Sequence, residues 1–203
     1  MNFAEFDAYL LEFSSVLKQI FWVLYAYFVI HAIHYFYLFV FCKGITNYPT
    51  APKVRKRGIE IMREDMQKKA KQGRYTIVDM GSGYGFFVRD IAKHMPQAHV
   101  IGIDYDPLAG KVCNFFKKFL GPKNAEFVTG DFTGYNLAHA DAVVLFLPIE
   151  YMPSLGEQLK SQLKEGALVI CNRFNLEGGW EPVAVEHVKA GRRKQGKINI
   201  YRR

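Results

Sequence analysis

The chain has 203 residues, with Lys+Arg 27 against Asp+Glu 19 and an aromatic complement of 17 Phe, 12 Tyr and 2 Trp. This length suits one globular domain plus an appendage, half of the residues are hydrophobic, and no internal period is present, which together exclude a disordered chain, a solenoid and a propeller. Cys42, Cys113 and Cys171 lie far apart without a CxxC pair, so neither a disulfide framework nor a metal site is expected, and a reducing compartment fits.

The first element is the stretch from Ile20 to Cys42, which holds no Asp, Glu, Lys or Arg. A helix of that length reaches roughly 35 Å, enough to cross a hydrocarbon core of about 30 Å. Glu5, Asp7 and Glu12 precede it and no small-residue cleavage site follows, so a transmembrane anchor is expected and not a secretory signal. Lys43, Lys53, Arg55, Lys56 and Arg57 follow the span, which places the remainder on the cytoplasmic side of a bacterial inner membrane, or on the matrix side of a mitochondrial one. His31 and His34 are read as hydrogen-bonding or interfacial residues, not as ligands. Removing residues 1–42 from the net +8 leaves +10 on the rest, and Arg192, Arg193, Lys194, Lys197, Arg202 and Arg203 could meet an anionic leaflet.

Residues 44–52 read as a Gly/Pro-punctuated linker, and 53–71 as an amphipathic helix with Val54, Ile59, Met62 and Met66 on its apolar side. The expected division is thus a tail and anchor at 1–43, a linker and helix at 44–72, and a catalytic domain at 73–203. Strands follow at 75–80, 99–104, 125–130, 141–147 and 167–173, with helices near 86–95 and 108–120 and a third carrying Leu155, Leu159 and Leu163. This order predicts a doubly wound, Rossmann-like α/β fold with a mostly parallel sheet. Residues 181–190 and 198–203 read as a closing antiparallel hairpin.

The chemistry begins where the first strand runs into Asp79, Gly81, Ser82, Gly83, Tyr84 and Gly85. Glycines at a strand end let a ligand approach bare backbone beside the next helix. An acid just before that turn favours a cationic ligand group over a pyrophosphate. The second strand ends at Asp104, suited to ribose hydroxyls, and the third at Asp131, toward where an adenine amino group would lie. Each Asp alone could serve as a turn or cap residue, but three acids at three successive strand tips favour a nucleotide-like ligand.

With these residues, positions 48–203 resemble the seven-strand (class I) methyltransferases that use S-adenosylmethionine. The resemblance implies that Asp79, Gly81, Ser82, Gly83 and Gly85 bind the methionine part, Asp104 the ribose and Asp131 the adenine region, with Leu147 also lining the cofactor site. A narrower resemblance rests on the hydrophobic anchor, the Tyr-Pro-Thr segment at 48–50, VDMGSGYG, FLPIEYMPSLGEQLKSQLKEGALVICNRF, and the tryptophan two before a proline at Trp180. These features are similar to the membrane-anchored lysine methyltransferases of ATP synthase c-subunit and adenine nucleotide translocase, and to their bacterial relatives. Two positions depart from that family, which usually has Asp where Tyr84 stands and Glu where Asp104 stands.

The loop after the fourth strand faces the methyl group in this fold. It reads Leu147-Pro148-Ile149-Glu150-Tyr151, without the Asp/Asn-Pro-Pro-Tyr/Phe motif of nucleic-acid amino methyltransferases, so a nucleic-acid partner is not expected. In-line transfer from a sulfonium needs alignment and no enzyme nucleophile. Glu150, Tyr151 and Tyr48 are the catalytic candidates for orienting or deprotonating an acceptor amine, with Tyr48, Thr50, Pro148 and Trp180 as acceptor-site candidates. The expected activity is methyl transfer to lysine of a membrane protein. A lipid, quinone or other small-molecule acceptor at the membrane, and a non-enzymatic cofactor-binding scaffold, are the alternatives.

Overall fold

The computed structural model describes residues 3–42, 48–69, 74–189 and 195–203, and the chain divides into two compact units, Met1–Thr46 and Asn47–Arg203. Lys43, the start of the linker at 44–47, and Arg192, Arg193 and Lys194 of the expected hairpin turn lie outside the described residues.

In the first unit, α1 (Phe3–Phe41) is one helix of 39 residues, longer than the apolar run alone predicts. Its segment Phe13–Phe41 is long and apolar enough to cross a membrane, by length and composition. The His31 Nδ1 lies 2.9 Å from the Tyr27 carbonyl, one helical turn back, which matches the hydrogen-bonding reading of that residue.

The second unit is built on a seven-stranded sheet in the order β3-β2-β1-β4-β5-β7-β6. The strands are β1 (Thr76–Met80), β2 (His99–Asp104), β3 (Ala125–Thr129), β4 (Ala142–Leu145), β5 (Leu168–Asn172), β6 (Ala184–Lys189) and β7 (Gln195–Arg202). The first five pair in parallel, whereas β7 enters antiparallel between β5 and β6, as the terminal hairpin predicts. The parallel strands read as nearly unbroken apolar runs because helices cover both sheet faces. On one face lie α2 (Pro52–Lys68), α3 (Phe86–His94) and α4 (Pro107–Leu120), where Met62, Phe87, Ile91 and Cys113 pack over Ile77, Val100 and Ile170. On the other, α5 (Met152–Gln162) sets Met152, Leu155 and Leu159 against Val78, Val143 and Val169.

Local sequence sets these boundaries. Asp106 caps α4 by accepting from the Leu108 and Ala109 N–H groups, with Pro107 at the first helical position. α2 buries Val54, Ile59 and Met62 as its periodicity predicts, together with Asp65, which the charged sequence around it does not announce. The Asp65 carboxylate receives Tyr75 Oη, Lys69 Nζ at 2.9 Å and Arg202 Nη1 at 2.5 Å. Burial opposes its charge, but these three donors hold its pKa below the usual carboxylate value. That cluster ties α2 to the last strand at the amino edge of the sheet, opposite the edge that carries the glycine turn.

Candidate functional site

The site is built on the carboxyl edge of the parallel strands, at the point between β1 and β4 where strand order reverses direction, the place where open α/β sheets leave a crevice. The Gly81 and Ser82 N–H groups both donate to the Ile103 carbonyl, at 2.9 and 3.0 Å, pinning the glycine turn to the end of β2. Gly81, Gly83 and Gly85 all have positive φ, at 79°, 51° and 68°. At Gly81 a Cβ would stand 2.4 Å from Leu147 Cδ2, and at Gly85 2.4 Å from Phe127 Cε1, so the turn needs both the glycine backbone and the missing side chains.

The acids are distinct in their surroundings. Asp79 is buried, and loss of hydration, with the nearby Asp104 charge second, pushes its pKa up to about 7. Asp104 receives the Gly83 N–H at 2.6 Å on one oxygen and the Asp106 N–H at 2.9 Å on the other. Burial raises its pKa, while the two backbone donors pull it back. The Asp131 Oδ1 takes three donors, from Tyr105 Oη, the Thr133 N–H at 2.8 Å and Thr133 Oγ1 at 2.5 Å, and so caps the single turn Phe132–Gly134. The structure shows the cap role, and the carboxylate stays at the exposed strand tip.

β4 delivers the other wall. Leu147 is buried against Gly81, and Pro148 opens the single turn Ile149–Tyr151 that leads into α5. Glu150 is exposed and Tyr151 half-buried. The Tyr151 ring sits 5.5 Å from Phe132, which in turn lies 4.7 Å from Tyr105, so one aromatic row crosses the strand tips. Motif reading passes over Tyr105 and Phe132, which the structure sets beside the candidate residues Asp131 and Tyr151. The signal for Tyr105 and Phe132 is an acid followed directly by an aromatic in three of the loops at this edge, Asp104-Tyr105, Asp131-Phe132 and Glu150-Tyr151.

The Tyr48–Thr50 segment reaches the same end of the sheet. Arg55, in the first turn of α2, donates from Nη1 to the Thr50 carbonyl at 2.7 Å and from Nε to Asp90 of α3 at 2.7 Å. Val54 fills the space a Gly196 side chain would take at the start of β7. Thr50 is thereby buried while Tyr48 remains largely exposed. Trp180 is not brought to this group. Its Nε1 donates to the Arg202 carbonyl at 3.1 Å, and Arg202 pairs with Leu168 at the opposite, amino edge. Its ring packs on Tyr201 with centroids 5.6 Å apart, so it closes the hairpin against the sheet and lies away from the expected acceptor site.

Residues 79–184, just over half of the chain, match the ANTKMT methyltransferase domain family. A protein from Saccharolobus islandicus (strain REY15A) named protein-lysine N-methyltransferase is 28% identical over 146 residues, covering 70% of this chain and 84% of that protein. Among solved structures, an RNA methyltransferase from Salinibacter ruber in complex with S-adenosyl-L-homocysteine has a TM-score of 0.64 at 24% identity, over 76% of this chain and 93% of that one. A methyltransferase from Geobacter sulfurreducens in complex with the same compound has a TM-score of 0.50 at 18% identity, over 67% of this chain and 54% of its own. Both structural likenesses bear on the fold, which is the one described above. The chain belongs to the ANTKMT methyltransferase domain family and is a class I, S-adenosylmethionine-dependent methyltransferase.

Proposed function

We propose that the protein is a membrane-anchored protein-lysine N-methyltransferase, with 1–43 as tail and anchor, 44–72 as linker and helix, and 73–203 as the catalytic domain. The observation that carries the acceptor reading is the wall after β4. Leu147 packs on the glycine turn and is followed by Pro148, Glu150 and Tyr151, with no amide or acid placed before a Pro-Pro-aromatic to orient a base. The name borne by the Saccharolobus relative supports lysine as the acceptor.

The residues present fit the methyl donor. A buried Asp79 with a pKa near 7 is matched to an ammonium group, which would restore the charge that burial opposes. The bare glycine turn admits a close backbone approach, and each Asp104 oxygen, having taken one backbone N–H, keeps acceptor capacity for a ribose hydroxyl. When bound, S-adenosylmethionine supplies a methyl group already activated on sulfonium. The chain's share is to align an acceptor amine and take its proton. Pro148 and the Tyr48–Thr50 segment flank that approach, and Glu150, Tyr151 and Tyr48 are the groups with the chemistry to hold or accept the proton.

The apolar segment Phe13–Phe41 supports the anchor, and the basic residues from Lys53 to Arg57 support a catalytic domain on the cytoplasmic or matrix side. The bilayer and a membrane-protein acceptor are the partners this reading assigns. The test incubates full-length protein and native membranes with methyl-labelled S-adenosylmethionine and separates protein, lipid and RNA. Label in a membrane protein supports the reading, and label confined to lipid or RNA overturns it. Retention of the enzyme through carbonate extraction tests the anchor separately.

A further inference from the structure

α4 has two apolar faces. One, made by Ala109, Gly110 and Cys113, is buried on the sheet. The other carries Leu108, Val112, Phe115 and Phe119 at i, i+4, i+7 and i+11, a helical stripe on the side away from that contact. Phe115 and Phe119 are each 62% exposed, and Phe116 and Leu120 widen the patch to the helix end. A run of bulky exposed rings at this density marks an interaction surface, since isolated surface hydrophobics would not line up on one face.

Charge selects the partner. Residues 107–125 hold Lys111, Lys117, Lys118 and Lys123 and no Asp or Glu. The Lys118 ammonium lies 5.6 Å from the centre of the Phe119 ring, so cation and aromatic present together. Two such helices packed face to face would bring like charges together with no acid on either helix to offset them, which disfavours a second copy of the chain. An anionic lipid surface satisfies both features, because the rings enter the acyl boundary while the lysines meet phosphate groups.

We propose that the outer face of α4 docks on an anionic leaflet, with Phe115, Phe116, Phe119 and Leu120 as the inserted residues and Lys111, Lys118 and Lys123 at the headgroups. This goes beyond the function assigned above, and α4 would engage lipid whether or not α1 spans the bilayer. It gives the catalytic unit a second membrane contact, which restricts the orientations in which the carboxyl edge meets an acceptor.

The test labels full-length Leu120→Cys protein with an environment-sensitive dye, the native Cys42, Cys113 and Cys171 being buried. Measurements are made in detergent, in phosphatidylcholine nanodiscs, and in nanodiscs with about one third phosphatidylserine. The expected result is a blue shift with quenching by acyl-chain spin labels in the anionic discs, weakened by high salt and lost in a Phe115→Ser/Phe119→Ser variant with unchanged circular dichroism. An aqueous spectrum in anionic discs overturns the proposal. So does a blue shift in detergent that grows with protein concentration, which would assign the face to a second copy. Carbonate extraction of the same samples reads α1 alone, so failure of the anchor and failure of α4 docking are separable.

Discussion

Asp104 holds the Gly83 N–H at 2.6 Å, so the acid that ends β2 and the glycine turn that follows β1 form one unit before any ligand arrives. Substituting Asp104 loosens that turn, and under the proposed cofactor site it also removes an acceptor for the ribose. A charge-assisted hydrogen bond contributes about 1.5–3 kcal/mol, so Asp104→Ala is expected to weaken S-adenosylmethionine binding by about 10- to 100-fold. Asp104→Asn keeps one backbone acceptor and should fall between the two. Calorimetric titration of both variants checks the order, and wild-type affinity in Asp104→Ala would place the cofactor elsewhere.

Gly81→Ala meets a different barrier. Its φ of 79° is a left-handed conformation, and the new methyl would stand 2.4 Å from Leu147 Cδ2. The backbone strain alone amounts to about 1–2 kcal/mol. Adding Leu147→Ala relieves the clash but not the φ strain, so the double variant is expected to recover part of the cofactor affinity lost by Gly81→Ala. Thermal melts with and without cofactor separate this from general unfolding, and full recovery would show that φ at Gly81 is immaterial.

Asp79 links binding and stability to pH with opposite signs. Its folded pKa is raised from 3.8 to about 7, so between those values the folded cofactor-free protein binds more protons than the unfolded chain. Stability from this group is complete below pH 3.8 and is lost as pH rises through about 7, a difference of at most about 4 kcal/mol. Asp79→Asn should therefore raise the melting temperature of the cofactor-free protein at pH 8 more than at pH 5. Cofactor affinity runs the other way, because an ammonium needs the ionised carboxylate, and is expected to fall by about tenfold per unit below pH 7. A flat affinity profile in wild type would remove Asp79 from the ammonium site.

Trp180 and Arg55 make a paired prediction. Trp180→Phe loses the Nε1 bond to the Arg202 carbonyl and is expected to cost about 1 kcal/mol of stability with KM for the acceptor unchanged. Arg55→Gln releases the Thr50 carbonyl from its link to Asp90 and is expected to raise acceptor KM several-fold while cofactor affinity holds. Steady-state kinetics alongside melts check both, and the opposite pattern would exchange their roles.

The contrast between those two residues shows how far the sequence could be read. Strand and helix order was legible because the five parallel strands are short apolar runs, with amphipathic helices after the first, second and fourth, and the tip acids followed from strand ends. Trp180 was not, because spacing before Pro182 carries no sign that the chain turns back along α5, where the Glu177 carbonyl sits 2.6 Å from the place of a Gly156 Cβ, toward the amino edge. Asp65 sits within a run of charges that reads as solvated, and its local partner Lys69 does not announce the burial that the distant Tyr75 and Arg202 complete. The aromatic row Tyr105–Phe132–Tyr151 joins three loops and has no local period to announce it.

Transfer of a methyl group to a lysine side chain is read out by amino-acid analysis of the labelled protein fraction. Full-length enzyme, native membranes and methyl-labelled S-adenosylmethionine are incubated, and the acid hydrolysate is resolved for methylated residues. Label is expected to co-elute with Nε-methyllysine and to fall in Asp104→Ala when S-adenosylmethionine is below saturation. Label in a different amino acid, or in the lipid extract with none in protein, would contradict transfer to lysine.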